Sequence, residues 1–166
     1  PDMRLLEYGC GTATLSRLLA DRVGAIDAAD ASTGMLEQAR RNLRAHGIQN
    51  IRLLRLDLTR DEPPAERYDG IFSAMTLHHV EKVEALLRRL ADLLLPGGFL
   101  AIADLVTEDG SFHGANTVPH PGFDPESLGA SLSRLGLART RWRIAHRLSR
   151  HGREYPIFLL CASARD

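Results

Sequence analysis

Short apolar runs alternate with amphipathic stretches along the first two thirds of the chain. Arg4–Tyr8, Ala25–Asp30, Ile51–Leu56, Tyr68–Ala74 and Phe99–Asp104 are strand-length and nearly all apolar inside. Runs of that length predict strands buried on both faces. Between them the spacing turns helical. Thr12–Arg22 carries Leu15, Leu18 and Leu19 on one predicted face. A second helix starts at Ser32, presents Met35, Leu36, Ala39 and Leu43 as a stripe, and ends at Gly47. Ser is a favoured cap and Gly a favoured stop. A third, about Val80–Leu94, places Val83, Leu86, Leu87, Leu90, Leu93 and Leu94 together before Pro96-Gly97-Gly98 stops it. The segment Thr59–Arg67, with Pro63-Pro64, predicts a loop. Strands alternating with amphipathic helices predict a parallel α/β sheet, doubly wound because crossovers are right-handed.

After Asp104 the pattern changes. Val106–Phe123 is polar and rich in Gly, His and Pro, long for a loop in a compact domain. Asp124 and Pro125 then open a helix with Leu128, Leu132 and Leu135 on its core face, closed by Gly136. Two last strands, Ala138–Leu148 and Glu154–Ala162, have too little chain between them for a crossover. They predict an antiparallel hairpin turning at His151-Gly152. Arg139, Arg141 and Arg143 alternate with Thr140, Trp142 and Ile144, which predicts one polar and one buried face. Nothing divides the chain, so residues 1–166 read as a single domain.

Composition narrows the class. Apolar residues are 44% and charged residues 25%, ordinary for a soluble globular domain. No apolar run reaches membrane-spanning length, and no leader is visible. Basic and acidic residues balance at 21 each, which argues against a dedicated nucleic-acid binder. With Arg147, Arg150 and Arg153 the basic edge of the hairpin reads as a solvated strand face, too poor in aromatics to stack bases. Two cysteines, Cys10 and Cys161, make no disulfide framework and no metal-ligand spacing; a reducing, cytoplasmic setting is expected.

The candidate chemistry lies at the strand ends. The first strand breaks at Gly9-x-Gly11 and resumes as a helix. Such a turn brings the backbone close to a ligand and aims unpaired N–H groups at it. Asp30 ends the second strand, where a carboxylate can take both hydroxyls of a ribose. Asp57, closing the third, suits the exocyclic amine of an adenine, with the backbone of Leu58 toward the ring nitrogen. Glu7, two residues before Gly9, sets a negative charge near the same turn. A pyrophosphate wants donors and no anion, whereas an ammonium or sulfonium suits a carboxylate. Thr14 at the third position of a dinucleotide fingerprint weakens an NAD-dependent oxidoreductase further. Three acids at neighbouring strand ends therefore predict a cationic adenosine ligand.

EYGCGTA, Asp30 followed by Ser32 and Met35-Leu36, then Asp57-Leu58, DGIFSAMTLHHV and LLPGGFLAIAD resemble the successive motifs of class I S-adenosylmethionine-dependent methyltransferases. They are most similar to the small-molecule branch related to quinone-biosynthesis enzymes. The resemblance implies a Rossmann-like seven-stranded sheet of order 3-2-1-4-5-7-6 with strand seven antiparallel. It implies S-adenosylmethionine as cofactor, its methionine end near Glu7, Gly9, Gly11 and Thr12, its ribose at Asp30 and its adenine at Ala31, Asp57 and Leu58. Met35 joins this set, and the substrate pocket starts at Ser73. Ala13 stands where the family often has a third Gly. The chain begins three residues before the first strand, so the expected core lacks the helices that usually precede it and close the pocket.

His78 and His79 follow the fourth strand, at the expected pocket mouth, and His113 and His120 lie in the polar loop. Helix-start packing is the plain reading of the first pair. His79 and His113 are the candidates for holding an acceptor or taking its proton. Asp104, Glu108 and Asn116 lie in the same region, without spacing typical of a closed metal site, so no metal is expected. The expected function is methyl transfer to a small molecule. The alternative is a non-catalytic module that binds the same cofactor or a partner.

Overall fold

The computed structural model describes residues 2–114, 116–150 and 152–165. Its strands are β1 (Arg4–Tyr8), β2 (Ala25–Asp30), β3 (Ile51–Arg55), β4 (Tyr68–Ala74), β5 (Leu94–Leu105), β6 (Ala138–Arg150) and β7 (Arg153–Ser163). They form one sheet in the order β3-β2-β1-β4-β5-β7-β6. β1 to β5 pair in parallel, and β7 runs antiparallel to both β5 and β6. That is the order and the reversed strand which the family resemblance implies.

Among the described residues four α-helices connect the strands: α1 (Thr14–Leu19), α2 (Thr33–Ala45), α3 (Val83–Asp92) and α4 (Pro125–Arg134). Side chains alternate across a strand, so neighbours in β1 enter different cores. Leu5 joins Ile26, Ala28 and the α2 residues Leu36, Ala39 and Leu43 on one face. Leu6 and Tyr8 join Leu86, Leu87 and Leu90 of α3 and Leu128 and Leu132 of α4 on the other. The caps hold as read: Ser32 Oγ accepts from the Met35 N–H, and Asp124 from the Ser127 N–H.

Several local expectations need correction. The first helix is short, Thr14–Leu19 followed by a 3-10 turn at Ala20–Arg22, and its buried residue is Ser16. Leu15 and Leu18 are exposed, Leu18 to 70%. Ser16 faces inward because the buried acid Glu7 needs its donors. The segment leading into α3 is a separate 3-10 turn, Leu77–His79. Pro96-Gly97-Gly98 does not precede β5 but lies within it; pairing begins at Leu94 opposite Tyr68 and shifts before Gly70 meets Phe99. β6 is an edge strand, and its expected buried face is open: Trp142 and Ile144 are both exposed. Arginines along such an edge discourage pairing with another chain. Of the hairpin turn expected at His151-Gly152, His151 lies outside the described residues. Gly152 has a φ of 73°.

Below the site, Asp27 knits four strands together. Its buried carboxylate accepts from Arg52 (2.8 Å), Arg4 (2.9 Å) and the Tyr68 hydroxyl (2.9 Å). Burial alone would push this carboxyl up, but Arg52, then Arg4 and Tyr68, reverse that and hold it below its ordinary value.

Candidate active site

A cavity of about 940 Å³ opens at the carboxyl ends of β1, β2 and β4. Open α/β sheets bind ligands at this edge, and the volume is that of a small-molecule site. Its floor is the glycine turn. Gly9 has a φ of +76°, and a Cβ there would collide with the Thr76 side chain. Gly11 has a φ of +52° and only open space where its Cβ would stand. Gly9 is therefore dictated by both conformation and close packing, and Gly11 by conformation, leaving room for a ligand. Ala13 completes the turn in the same left-handed conformation, φ 59°, where a Gly would carry no strain.

Asp30 stands at one wall. Its two carboxylate oxygens accept from the Gly11 N–H and the Ser32 N–H, each at 2.8 Å. A carboxylate offers about four acceptor positions, so two remain for ligand hydroxyls. Asp57 stands at the next wall. One of its oxygens accepts from the Thr59 N–H (2.9 Å) and hydroxyl (2.6 Å). Tyr8 lines the cavity between them; burial, then the Asp57 carboxylate, push its phenol up to about 12, against a smaller pull from the Leu58 N–H.

Of the residues singled out from sequence, Gly9, Gly11, Asp30, Ala31, Met35, Asp57 and His79 line this cavity. Met35 is exposed because it leaves the α2 stripe to border the opening. Glu7, Thr12, Leu58, Ser73 and His113 are not among its lining residues. Ser73 is buried, its hydroxyl donated to the Tyr8 carbonyl at 2.8 Å, tying β4 to β1. Leu58 sits in the core, and Thr12 accepts from Asn42 through its carbonyl.

Glu7 lies beneath the turn, not in the cavity. Its carboxylate accepts from the N–H and the hydroxyl of Ser16, at the start of α1. Burial, only partly offset by Ser16, raises its pKa to about 7. The expectation of three carboxylates facing one cleft thus holds for Asp30 and Asp57. β1 alternation accounts for the third: Glu7 shares a face with Leu5, toward α1, and Tyr8 takes the opposite one. Cys10, in the same turn, has its thiol raised to about 12 by burial and then by Glu7, which keeps it protonated.

At the mouth, three imidazoles gather. His78 and His79 ring centres are 4.1 Å apart, His78 and His113 4.9 Å, and His79 and His113 5.4 Å. Asp104, fully buried, accepts from His78 Nδ1 (2.6 Å) and from the Leu77 N–H (2.9 Å), fixing the turn that carries His79. His79 alone of the three lines the cavity. Burial, then His78 and His113, lower its pKa against a smaller opposing effect of Asp104, so it stays neutral near pH 7. His113 is lowered too, by burial, then His78 and Arg150. Among the described residues no group of three or more His, Cys, Asp or Glu is arranged to hold a metal. None of their helices is long and apolar enough to cross a membrane.

The sequence reading missed Tyr8, Thr59, Arg60, Thr76 and Lys82 as cavity residues. Tyr8 and Thr76 lie inside the EYGCGTA and DGIFSAMTLHHV motifs, so position alone nominates them. Arg60 and Lys82 are exposed rim groups in loops without a pattern.

The sequence pattern described as the methyltransferase domain matches residues 5–98. That is more than half of the chain, which therefore belongs to this family. An uncharacterized methyltransferase of Schizosaccharomyces pombe is 29% identical over 142 residues, covering 76% of this chain and 50% of that protein. Aklanonic acid methyltransferase DauC of a Streptomyces species is 30% identical over 112 residues, covering 66% and 51%. In fold, the chain is similar to phosphoethanolamine N-methyltransferase 2 of Haemonchus contortus, solved with S-adenosyl-L-methionine. That match has a TM-score of 0.83 and 14% identity, and covers 99% of this chain and 49% of the other. The chain spans about half the length of these curated relatives. A methyltransferase-family sequence and the fold of a protein solved with S-adenosyl-L-methionine thus coincide in this chain.

Proposed function

We propose that the protein transfers the methyl group of S-adenosylmethionine to a small-molecule acceptor, with His79 facing the acceptor. The observation that carries this is the single cavity in which Gly11, Asp30, Asp57 and His79 meet. The residues suit the cofactor: a Cβ-free space at Gly11, unfilled acceptor positions on Asp30, and a carboxylate at Asp57 with one oxygen not taken by Thr59. In this reading Asp30 holds the ribose hydroxyls, Asp57 with the Leu58 backbone holds the adenine, and the Gly9–Gly11 turn cradles the methionine end. Glu7 acts from below, ordering the turn through Ser16 instead of touching the ligand.

The cofactor supplies a methyl group already activated by a sulfonium. The protein has to align the acceptor with it and exclude water. His79, neutral near pH 7, accepts a proton where the acceptor must lose one. His113 supports it from the loop side, and Met75 and Val80 give the mouth an apolar lining. The small-molecule assignment is supported by relatives such as aklanonic acid methyltransferase. It is supported also by the balance of 21 basic and 21 acidic residues. The test is incubation with S-adenosylmethionine and a panel of phenols, enols, carboxylates and amines, with mass detection of S-adenosylhomocysteine and methylated product. Cofactor binding with no turnover on any class would favour a non-catalytic module instead.

A further inference from the structure

The chain Asp57 to Asp61 forms one helical turn beside the cavity. The N–H groups of Arg60 and Asp61 both donate to the Asp57 carbonyl, at 2.9 and 2.7 Å. The turn is closed from within: the Asp57 N–H donates to the Asp61 carboxylate at 2.8 Å, and the Asp57 carboxylate accepts from Thr59. A single turn of this kind has little stability of its own. Its free carbonyls face α3, and there Arg89 meets them. One guanidinium nitrogen, Nη1, donates to the Leu58 carbonyl and to the Asp61 carbonyl, both at 2.7 Å. A cationic side chain on the last carbonyls of a turn is a favourable cap. Among the described residues Arg89 is half-buried, makes no ion pair, and reaches this turn from another element to hold two of its carbonyls. Its neighbour Arg88 is exposed.

We infer that Arg89 is a positioning residue for the base of the cofactor. It fixes the turn that presents the Asp57 carboxylate to the cavity, and so sets adenine selectivity from the far side of the sheet edge. This rests on the reading that the adenine lies at Asp57 and Leu58. A residue acting only on the overall fold would weaken all parts of the ligand equally; one acting through this turn changes base discrimination.

The experiment titrates S-adenosylhomocysteine and S-inosylhomocysteine calorimetrically into the wild-type chain and into Arg89→Met, which keeps the apolar stem, Arg89→Lys and Asp30→Asn. Wild type should prefer the adenine compound by ten-fold or more. Arg89→Met should raise its Kd about ten-fold and shrink the preference below three-fold, with Arg89→Lys recovering part of both. Asp30→Asn should weaken both compounds alike and leave the preference intact. Unchanged Kd values in Arg89→Met, or an equal loss for both compounds, overturn the role of Arg89 alone. Failure of the wild type to bind either, or equal binding of both, overturns the base-site reading and this inference with it. Amide exchange of residues 57–61 covers a variant too unstable to titrate: faster exchange confined to that turn supports the inference, and faster exchange across β1 and β2 as well overturns it.

Discussion

The backbone N–H of Gly11 donates to the carboxylate of Asp30 at 2.8 Å, joining the glycine turn after β1 to the end of β2. The same carboxylate receives the Ser32 N–H at the start of α2. Asp30 therefore shapes the cavity before any ligand arrives and keeps acceptor capacity for two hydroxyls. Hydrogen bonds to a charged group contribute roughly 1.5–3 kcal/mol each. Asp30→Ala should weaken S-adenosylhomocysteine binding by at least about ten-fold, measured by calorimetry. The loss should exceed that of Asp30→Asn, which keeps one acceptor oxygen.

Glu7 gives stability an unusual pH dependence. Its pKa in the fold is about 7, against 4.5 when unperturbed. Between these values the native state holds a proton that the unfolded chain has released, so stability falls as pH rises through that window. The loss reaches about 3 kcal/mol at most. Thermal melts from pH 4.5 to 8 should show this slope in the wild type. Glu7→Gln, which keeps an acceptor for Ser16 without titrating, should flatten it.

Asp27 acts with the opposite sign. Its carboxyl is held below the ordinary value, so its contribution is present above the unfolded pKa and is lost as pH falls through the folded one. Asp27→Ala should cost about 2–4 kcal/mol, because Tyr68 and two arginines lose their shared partner. Arg4 and Arg52 are partly exposed and regain water, which keeps the cost near the lower end. Urea unfolding at pH 7 measures it, and cofactor affinity should be little changed.

His79 should appear in the rate. As the base, it gives kcat/KM an acid limb with its midpoint below the ordinary imidazole value of 6.5. His79→Gln should remove that limb and lower kcat by about 10²–10⁴-fold, leaving the cofactor Kd within two-fold. Turnover of His79→Gln close to wild type would assign His79 to packing.

Much of the fold was legible in the sequence because buried parallel strands are short apolar runs with sharp ends. β1, β2 and β4 have the bounds that pattern predicts. The helix faces were legible where the sheet covers them, as for Leu86, Leu87 and Leu90. Patterning failed where a polar need overrode it. Ser16 displaced Leu15 and Leu18 from the interior because Glu7 required two donors. It failed again at Trp142 and Ile144, whose alternation marks a strand but carries no sign of its being the edge. In the site, Asp30 and Asp57 were readable from strand ends. The direction of Glu7 was also encoded, in the alternation of β1, which places it on the face of Leu5. Arg89 gave no signal, since helical spacing does not separate it from the exposed Arg88 beside it.

The cavity over Gly11, Asp30 and Asp57 is expected to take a cationic adenosine cofactor. Calorimetric titration of the chain with S-adenosylmethionine, and separately with NAD, tests it most directly. One-site, micromolar-range binding of S-adenosylmethionine that Asp30→Ala weakens at least about ten-fold is expected, with no binding of NAD. Saturable NAD binding sensitive to Asp30, with none for S-adenosylmethionine, would contradict it.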